Sequence, residues 1–256
     1  MKDIYKTYFT RNAVPEWRCP TCDVGTLALV GDDSLVSRAT IKTIKDRNDP
    51  EWEPDWDRMV FTCIFVCSNA DCRESVCCSG SGHVSTFEYY DDDEGRDCRV
   101  DEEIYYPRYF SPPLMLMNIP EKCPHSVRQH LCESFSLFFA DKGAALNCAR
   151  AAVEELMTEL GVKRFESIRS KRRRIMLHRR IELLQSKYDA LKEILLAVKW
   201  LGNAGSHSGD PVGDEDVIAA YKLLEHVLSS LYDGKERELR DMARRINRRK
   251  GPVRNW

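Results

Sequence analysis

Two pairs of cysteines carry the spacing of a metal site: Cys19 and Cys22 in C-P-T-C, and Cys67 and Cys72 in C-S-N-A-D-C. A tetrahedral zinc ion takes four thiolates at about 2.3 Å, and two tight turns that each present two sulfurs supply them without a large core. The first pair has the short spacing of a zinc knuckle, the second a longer one also found in ribbons. Cys63, shortly before Cys67, is the alternative ligand, although its place in an apolar run reads as a buried thiol. Cys77 and Cys78 are adjacent, and neighbours on a strand point to opposite faces, which suits chelation of one ion poorly. With Cys19, Cys22, Cys67 and Cys72 engaged, no coordination position is left for a water nucleophile. The zinc is therefore expected to be structural.

A second constellation lies near the C-terminal end of the apolar stripe Leu191, Ile194, Leu195, Val198 and Leu201. Lys199, Asn203 and His207 follow at helical steps, which stacks them along one side. His207 is a candidate general acid or base, provided a cation steadies the charge that develops. Lys199 and Arg150 are the candidate cations, with Glu154 at ion-pair spacing from Arg150. The plain alternatives are a helix-capping histidine, a left-handed Asn203 beside Gly202, and a surface ion pair between Arg150 and Glu154. Gly202 and Gly205 argue that the helix loosens there. A third group, Arg172, Arg173, Arg174, Arg179 and Arg180, belongs to a stretch from Lys163 to Arg180 holding nine Lys or Arg against the single Glu166. Clustered arginines of this kind read phosphate rather than base edges.

The elements that must position these residues follow from the remaining pattern. At 256 residues, 43% apolar and 31% charged, the chain suits two soluble globular units. It has no apolar run of membrane-spanning length and no signal-peptide pattern, so a cytoplasmic protein without membrane contact is expected. Eleven cysteines suit metal ligation and free thiols in that compartment. Residues 1–90 read as the zinc-ribbon domain, with strand-like T-L-A-L-V, Met59 to Val66 and Val84 to Tyr89, and with an insertion at 32–57 that carries Trp52 and Trp56. Residues 91–125 read as a linker, acidic from Asp91 to Glu103 and proline-rich beyond. Residues 126–234 hold helical patterns: one from Ser126, one capped by Asp141 and ended by Gly161, a basic amphipathic segment from Phe165, the central helix from Tyr188, and one from Asp214 to Gly234. Residues 235–256 form a basic tail. The net charge of −2 conceals this separation of acidic and basic blocks.

The string K-W-L-G-N-A-G-S-H, with N-C-A-R-A-A-V-E-E-L upstream and D-x-D-V-I-A-A-Y-K-L-L-E-H-V-L-S-S-L-Y downstream, resembles the uncharacterised helical domain found on type I restriction subunits and stand-alone defence-island proteins. That domain is in turn similar to the HEPN (higher eukaryotes and prokaryotes nucleotide-binding) superfamily. The resemblance runs roughly from Ser126 to Asp233. It implies an HEPN-like bundle, a homodimer whose motif turns face each other, and a partner that is RNA, DNA or a defence-system protein. Active HEPN ribonucleases carry an Arg shortly before the His, and here Gly202 stands where that Arg would precede Asn203. The expected fold is therefore α+β, a small N-terminal β zinc ribbon followed by an all-α HEPN-like helical bundle. The expected function is a zinc-stabilised nucleic-acid- or partner-binding regulatory module of prokaryotic anti-phage and restriction defence, without catalysis. The alternative is a metal-independent endoribonuclease of HEPN type using His207.

Overall fold

The computed structural model describes residues 3–91, 96–168, 170–205 and 211–251. The chain divides into two units, Met1–Leu116 with Phe135–Asp141, and Met117–Ser134 with Lys142–Trp256.

Alternation of apolar and polar residues builds the first unit. Its strands β1 (Leu27–Leu29), β2 (Leu35–Ala39), β3 (Arg58–Cys67), β4 (Ser75–Asp91) and β5 (Arg96–Ser111) form a five-stranded antiparallel sheet in the order β1-β3-β4-β5, with β2 also paired to β3. The two short strands share one edge of β3, Leu27 opposite Cys67 and Leu35 opposite Cys63. In β3, Met59, Phe61, Cys63, Phe65 and Cys67 are buried while Val60 and Ile64 stay exposed, the period-2 pattern of a sheet packed on one face. Phe9 and Trp17 lie fully buried against that face. Phe9 meets Phe65 at 5.4 Å and Trp17 meets Phe110 at 5.1 Å, both edge-on, the arrangement that aromatic quadrupoles favour. Phe9 is anchored by reciprocal 2.9 Å backbone bonds with Tyr105.

Two expectations are corrected here, and the insertion acquires a place. The N-terminal unit is a five-stranded sheet rather than a small ribbon, more than two knuckles and their flanks require. The insertion at 32–57 supplies β2 and the short helix α1 (Ile41–Asp46), whose first turn is capped by Thr40 Oγ1 accepting from the Thr43 amide at 3.3 Å. Buried Asp57 pairs with Arg47 and accepts from Trp52 Nε1 at 3.1 Å, which fastens the insertion to the start of β3. The expected linker at 91–125 contains β5. Asp97 and Asp101 are exposed, Asp101 accepting from Thr86 Oγ1 at 2.6 Å, and Glu102 and Glu103 are half-buried, while Tyr105 and Phe110 of the same strand are buried. Pro107, which has no N–H to give a ladder, sits on this edge strand opposite Gly80, where the register shifts.

The second unit contains α3 (Lys142–Glu159), β6 (Phe165–Ile168), β7 (Lys171–Arg174), α4 (Leu177–Glu182), α5 (Asp189–Ala204), α6 (Asp214–Tyr232) and α7 (Lys235–Arg249); α2 (His125–Leu137) begins in it. Helix α3 buries Ala145, Ala149, Ala152, Val153 and Leu156, α5 buries Leu195 and Val198, and α6 buries Val217, Tyr221 and Leu224. These stripes pack together as the 3.6-residue period requires. Buried Ser134 donates to the Ala145 carbonyl at 2.7 Å and lies 2.8 Å from the Tyr221 hydroxyl. The unit is not an all-α bundle, because the basic segment splits into a β6–β7 hairpin followed by α4. Gly161 at φ +82° ends α3, and Ser170 takes a positive φ of 63° in the hairpin turn. Among the described residues no helix is long and apolar enough to cross a membrane.

At Gly80 an added Cβ would stand 2.1 Å from the Tyr106 carbonyl and 2.9 Å from the Phe61 ring. Gly80→Ala is expected to destabilise the protein by about 1–3 kcal/mol, the range for forcing atoms into a packed site. Chemical denaturation of the variant beside the wild type measures it.

Candidate metal centre and helical site

Each half of the cysteine cluster is a backbone turn that aims its amides at sulfur. In the first, Cys19 donates its N–H to the Gly25 carbonyl at 2.8 Å, while Thr21 N–H points at Cys19 Sγ from 3.4 Å and Gly25 N–H at Cys22 Sγ from 3.5 Å. In the second, Cys67 closes β3 by donating to the Glu74 carbonyl at 2.9 Å, and Asn69 N–H lies 3.4 Å from Cys67 Sγ. Ser68 N–H bonds to the Thr26 carbonyl at 2.9 Å and ties the two turns together. Gly25 has no space for a side chain: a Cβ there would fall 2.5 Å from Cys67 Sγ.

The four Sγ atoms of Cys19, Cys22, Cys67 and Cys72 all lie within 4.8 Å of one another. Cys19 and Cys72 are 3.8 Å apart, and Cys22 and Cys67 are 3.7 Å apart. A tetrahedron with metal–sulfur bonds of about 2.3 Å has sulfur–sulfur edges of about 3.8 Å, so the cluster can hold a thiophilic divalent ion. Cys63 and Cys78 face each other in the sheet core, and Cys77 points to its exposed side; none of the three joins the cluster. Backbone donation from Gly25 and Val24 lowers the Cys22 thiol to about 6, whereas burial pushes that of Cys67 up to about 12. A bound dication must displace the Cys67 proton, so uptake releases protons and weakens as pH falls.

The second constellation gathers where α3 packs on α5. Arg150 Nη1 pairs with Glu154 Oε1 at 2.9 Å, and Arg174 from β7 takes the other carboxylate oxygen. Desolvation, and then the nearby Arg150 charge, lower the ammonium pKa of Lys199. Its Nζ also sits over the Trp200 ring, with His178 on that ring at 6.0 Å. Asn203 is half-buried on α5, and His207 lies outside the described residues. Gly202 does not loosen the helix, which continues to Ala204. Its Cα approaches Arg150 so closely that a Cβ would stand 2.5 Å from the Arg150 Cβ, and a Cβ on Gly205 would meet the Gly143 carbonyl at the same distance. These glycines let α5 approach α3.

The arginine group divides by role. Arg172 and Arg173 are exposed on β7, with the Arg172 guanidinium 3.9 Å from the Phe165 ring centre. Arg174 is committed to Glu154, and Arg179 pairs with Glu182 at 2.9 Å. Arg180 is withdrawn from the phosphate-reading surface: it is 3% exposed and donates to the Glu154 carbonyl at 2.9 Å, the Val162 carbonyl at 3.1 Å and Thr158 Oγ1 at 2.8 Å. It holds the C-terminal end of α3, where a cation complements the helix dipole. Sequence reasoning missed Arg174 as the second partner of Glu154, and His178 beside Trp200. Neither contact has a local signal, because the hairpin and α4 that bring them in were not expected as such.

Residues 7–110 match the family model described as Domain of unknown function (DUF8608), and residues 132–249 match Domain of unknown function (DUF4145). Comparison with curated proteins found no match, and comparison with solved structures found none either. The first match covers every strand of the sheet but the last residue of β5, and both cysteine turns; the second covers α3 to α7.

Elemental analysis is expected to find about one thiophilic ion per purified chain, reduced at least about fivefold in both Cys19→Ser and Cys67→Ser. Unchanged content in both variants would refute the centre. Gly202→Ala is expected to lower stability by about 1–3 kcal/mol through separation of α3 from α5, read as a drop in thermal midpoint.

Proposed function

We propose that this protein is a zinc-stabilised nucleic-acid-binding module of prokaryotic anti-phage or restriction defence, working in a reducing cytoplasm. The observation that carries the reading is the β6–β7 hairpin, in which Lys171, Arg172, Arg173 and Arg174 are all exposed on one short projection. Such a cluster gains affinity by releasing counterions from a phosphate backbone, without reading sequence. Zinc is the ion that best suits four thiolates with tetrahedral edges and no open position, and it then acts by holding the fold. The resemblance of the 126–233 segment to HEPN-like defence domains supports the biological setting and a homodimer. The exposed Trp200 of α5 suits a place in such a contact.

A second reading, an HEPN-type endoribonuclease that needs no metal and uses His207, draws on the convergence of Arg150, Glu154 and Lys199 at the α3–α5 junction. The lowered pKa of Lys199 suits a cation that yields a proton more readily than usual. Incubation with labelled single-stranded RNA in EDTA separates the readings, since cleavage to cyclic-phosphate ends that is lost in His207→Ala would favour the nuclease.

For the leading reading, affinity for an RNA or DNA duplex is expected to fall steeply between low and physiological salt. The double variant Arg172→Glu, Arg173→Glu is expected to weaken it at least about tenfold at low salt. Binding that ignores both salt and these substitutions would remove the hairpin from the account.

A further inference from the structure

The face of the sheet opposite the aromatic core is apolar, aromatic and cationic at once. Strand register aligns Val36, Thr62, Ser79 and Tyr109 in one row across β2, β3, β4 and β5, and Arg38, Val60, Ser81 and Tyr106 in the next. Val36, Val60 and Tyr109 are 50%, 55% and 57% exposed, so three large side chains on a regular sheet lie half in solvent. Between them runs a shallow trough of about 520 Å³ with a floor of Thr62, Ser79 and Ser81. Arg38 and Arg108 stand at its rim, and no carboxylate lines it.

The aromatic line continues past the trough. His83 stacks on Tyr106 with ring centres 5.4 Å apart and planes 17° from parallel, and Tyr8 follows at 6.1 Å from Tyr106. Lys6 Nζ covers the Tyr8 ring at 4.6 Å. Tyr8, Tyr106 and Tyr109 are all exposed. Arg108 is steadied by a 3.1 Å bond from Nη2 to the Ala140 carbonyl, and Arg38 makes no ion pair among the described residues. Flat rings that accept stacking thus stand with cations on one face of the sheet.

The charge pattern selects the occupant. A second copy of this face would set Arg38 and Arg108 of one copy against those of the other with no carboxylate in the trough to compensate, which like-charge repulsion disfavours. A polyanion with exposed planar faces meets both requirements, and a duplex does not, because its bases are already stacked on one another. We infer that the outer face of the sheet is a platform for single-stranded nucleic acid, with bases stacked on Tyr109 and Tyr106 and phosphates against Arg38, Arg108 and Lys6. The inference rests on the nucleic-acid reading above but places single-strand selectivity on a surface separate from the hairpin, whose arginines grip any phosphate backbone.

Fluorescence anisotropy of the full chain with labelled oligo-uridine, oligo-deoxythymidine and a mixed duplex tests it. Tyr109→Ala is expected to weaken single-strand binding about tenfold while changing duplex binding by less than about twofold, and Tyr109→Phe, which keeps the ring, to bind as the wild type does. Arg38→Ala is expected to weaken single strands and flatten their salt dependence. A loss confined to oligo-uridine assigns the platform to RNA and a loss on both strands to either sugar; both results support it. Single-strand affinity within about twofold of wild type in Tyr109→Ala and Arg38→Ala, with the hairpin variant still impaired, would overturn the platform and leave the hairpin reading intact. Unchanged affinity together with a dimer that Tyr109→Ala splits would overturn it in favour of self-association. A wild type that binds none of the three probes would remove both readings.

Discussion

The register of β3 is the constraint on which the first unit depends. Cys67 is at once the last residue of this strand, the partner of Leu27 across the ladder, and a member of the sulfur cluster. A slip of one residue would turn Cys67 away from the other three sulfurs and carry Phe61 and Phe65 from the aromatic core to the outer face. Metal geometry and hydrophobic burial therefore specify the same alignment. Each alone would define it less sharply, since the outer face also carries apolar residues, Val60 and Ile64. The cluster also draws together chain segments far apart in sequence, so an ion bound there would stabilise the folded state.

In the second unit the corresponding constraint is the close approach of α5 to α3. Gly202 and Gly205 bring the α5 backbone against Arg150 and Gly143, and the space a side chain would occupy at 202 is filled by the aliphatic stem of Arg150. The guanidinium is then directed to Glu154, which also receives Arg174. One carboxylate between two guanidinium groups leaves a local excess of positive charge, and Lys199 adds to it. Position 202 is thus sterically closed to a side chain, and the stem of Arg150 from α3 takes that space. This arrangement explains why the glycine and the R-x-x-x-E pair occur together in the chain.

What could be read from the chain was whatever is decided locally. The cysteine turns are such a case, because two residues and their own backbone amides set each half of the site. So are the alternation in β3 and the apolar stripes of α3, α5 and α6, which follow from the period of the element. β5 was hidden because its first half carries Asp97, Asp101, Glu102 and Glu103 and its buried positions include Pro107, so composition spoke for a linker while Tyr105 and Phe110 spoke for a strand. The β6–β7 hairpin was hidden by a run of arginines, whose conformation is settled by Phe165 and Glu154 rather than by propensity. Arg180 was misplaced for a related reason: nothing in its own segment reveals that two carbonyls and a hydroxyl near the end of α3 await a donor.

β4 and β5 outrun the rest of the sheet. β3 pairs with β4 only as far as His83, yet β4 and β5 stay paired from Val84 and Glu103 out to Asp91 and Arg96, roughly 25 Å further at about 3.3 Å per residue. This overhang is a beam of two strands fixed at one end. About midway along it, Arg99, opposite Glu88, reaches back to Glu53 at 2.8 Å as a strut. Since a two-stranded ribbon is marginal by itself, its cohesion is lent by the sheet and declines with distance from it. A load applied at the far end therefore opens the beam from tip to root, with the sulfur cluster at the other end of β3 the last to feel it.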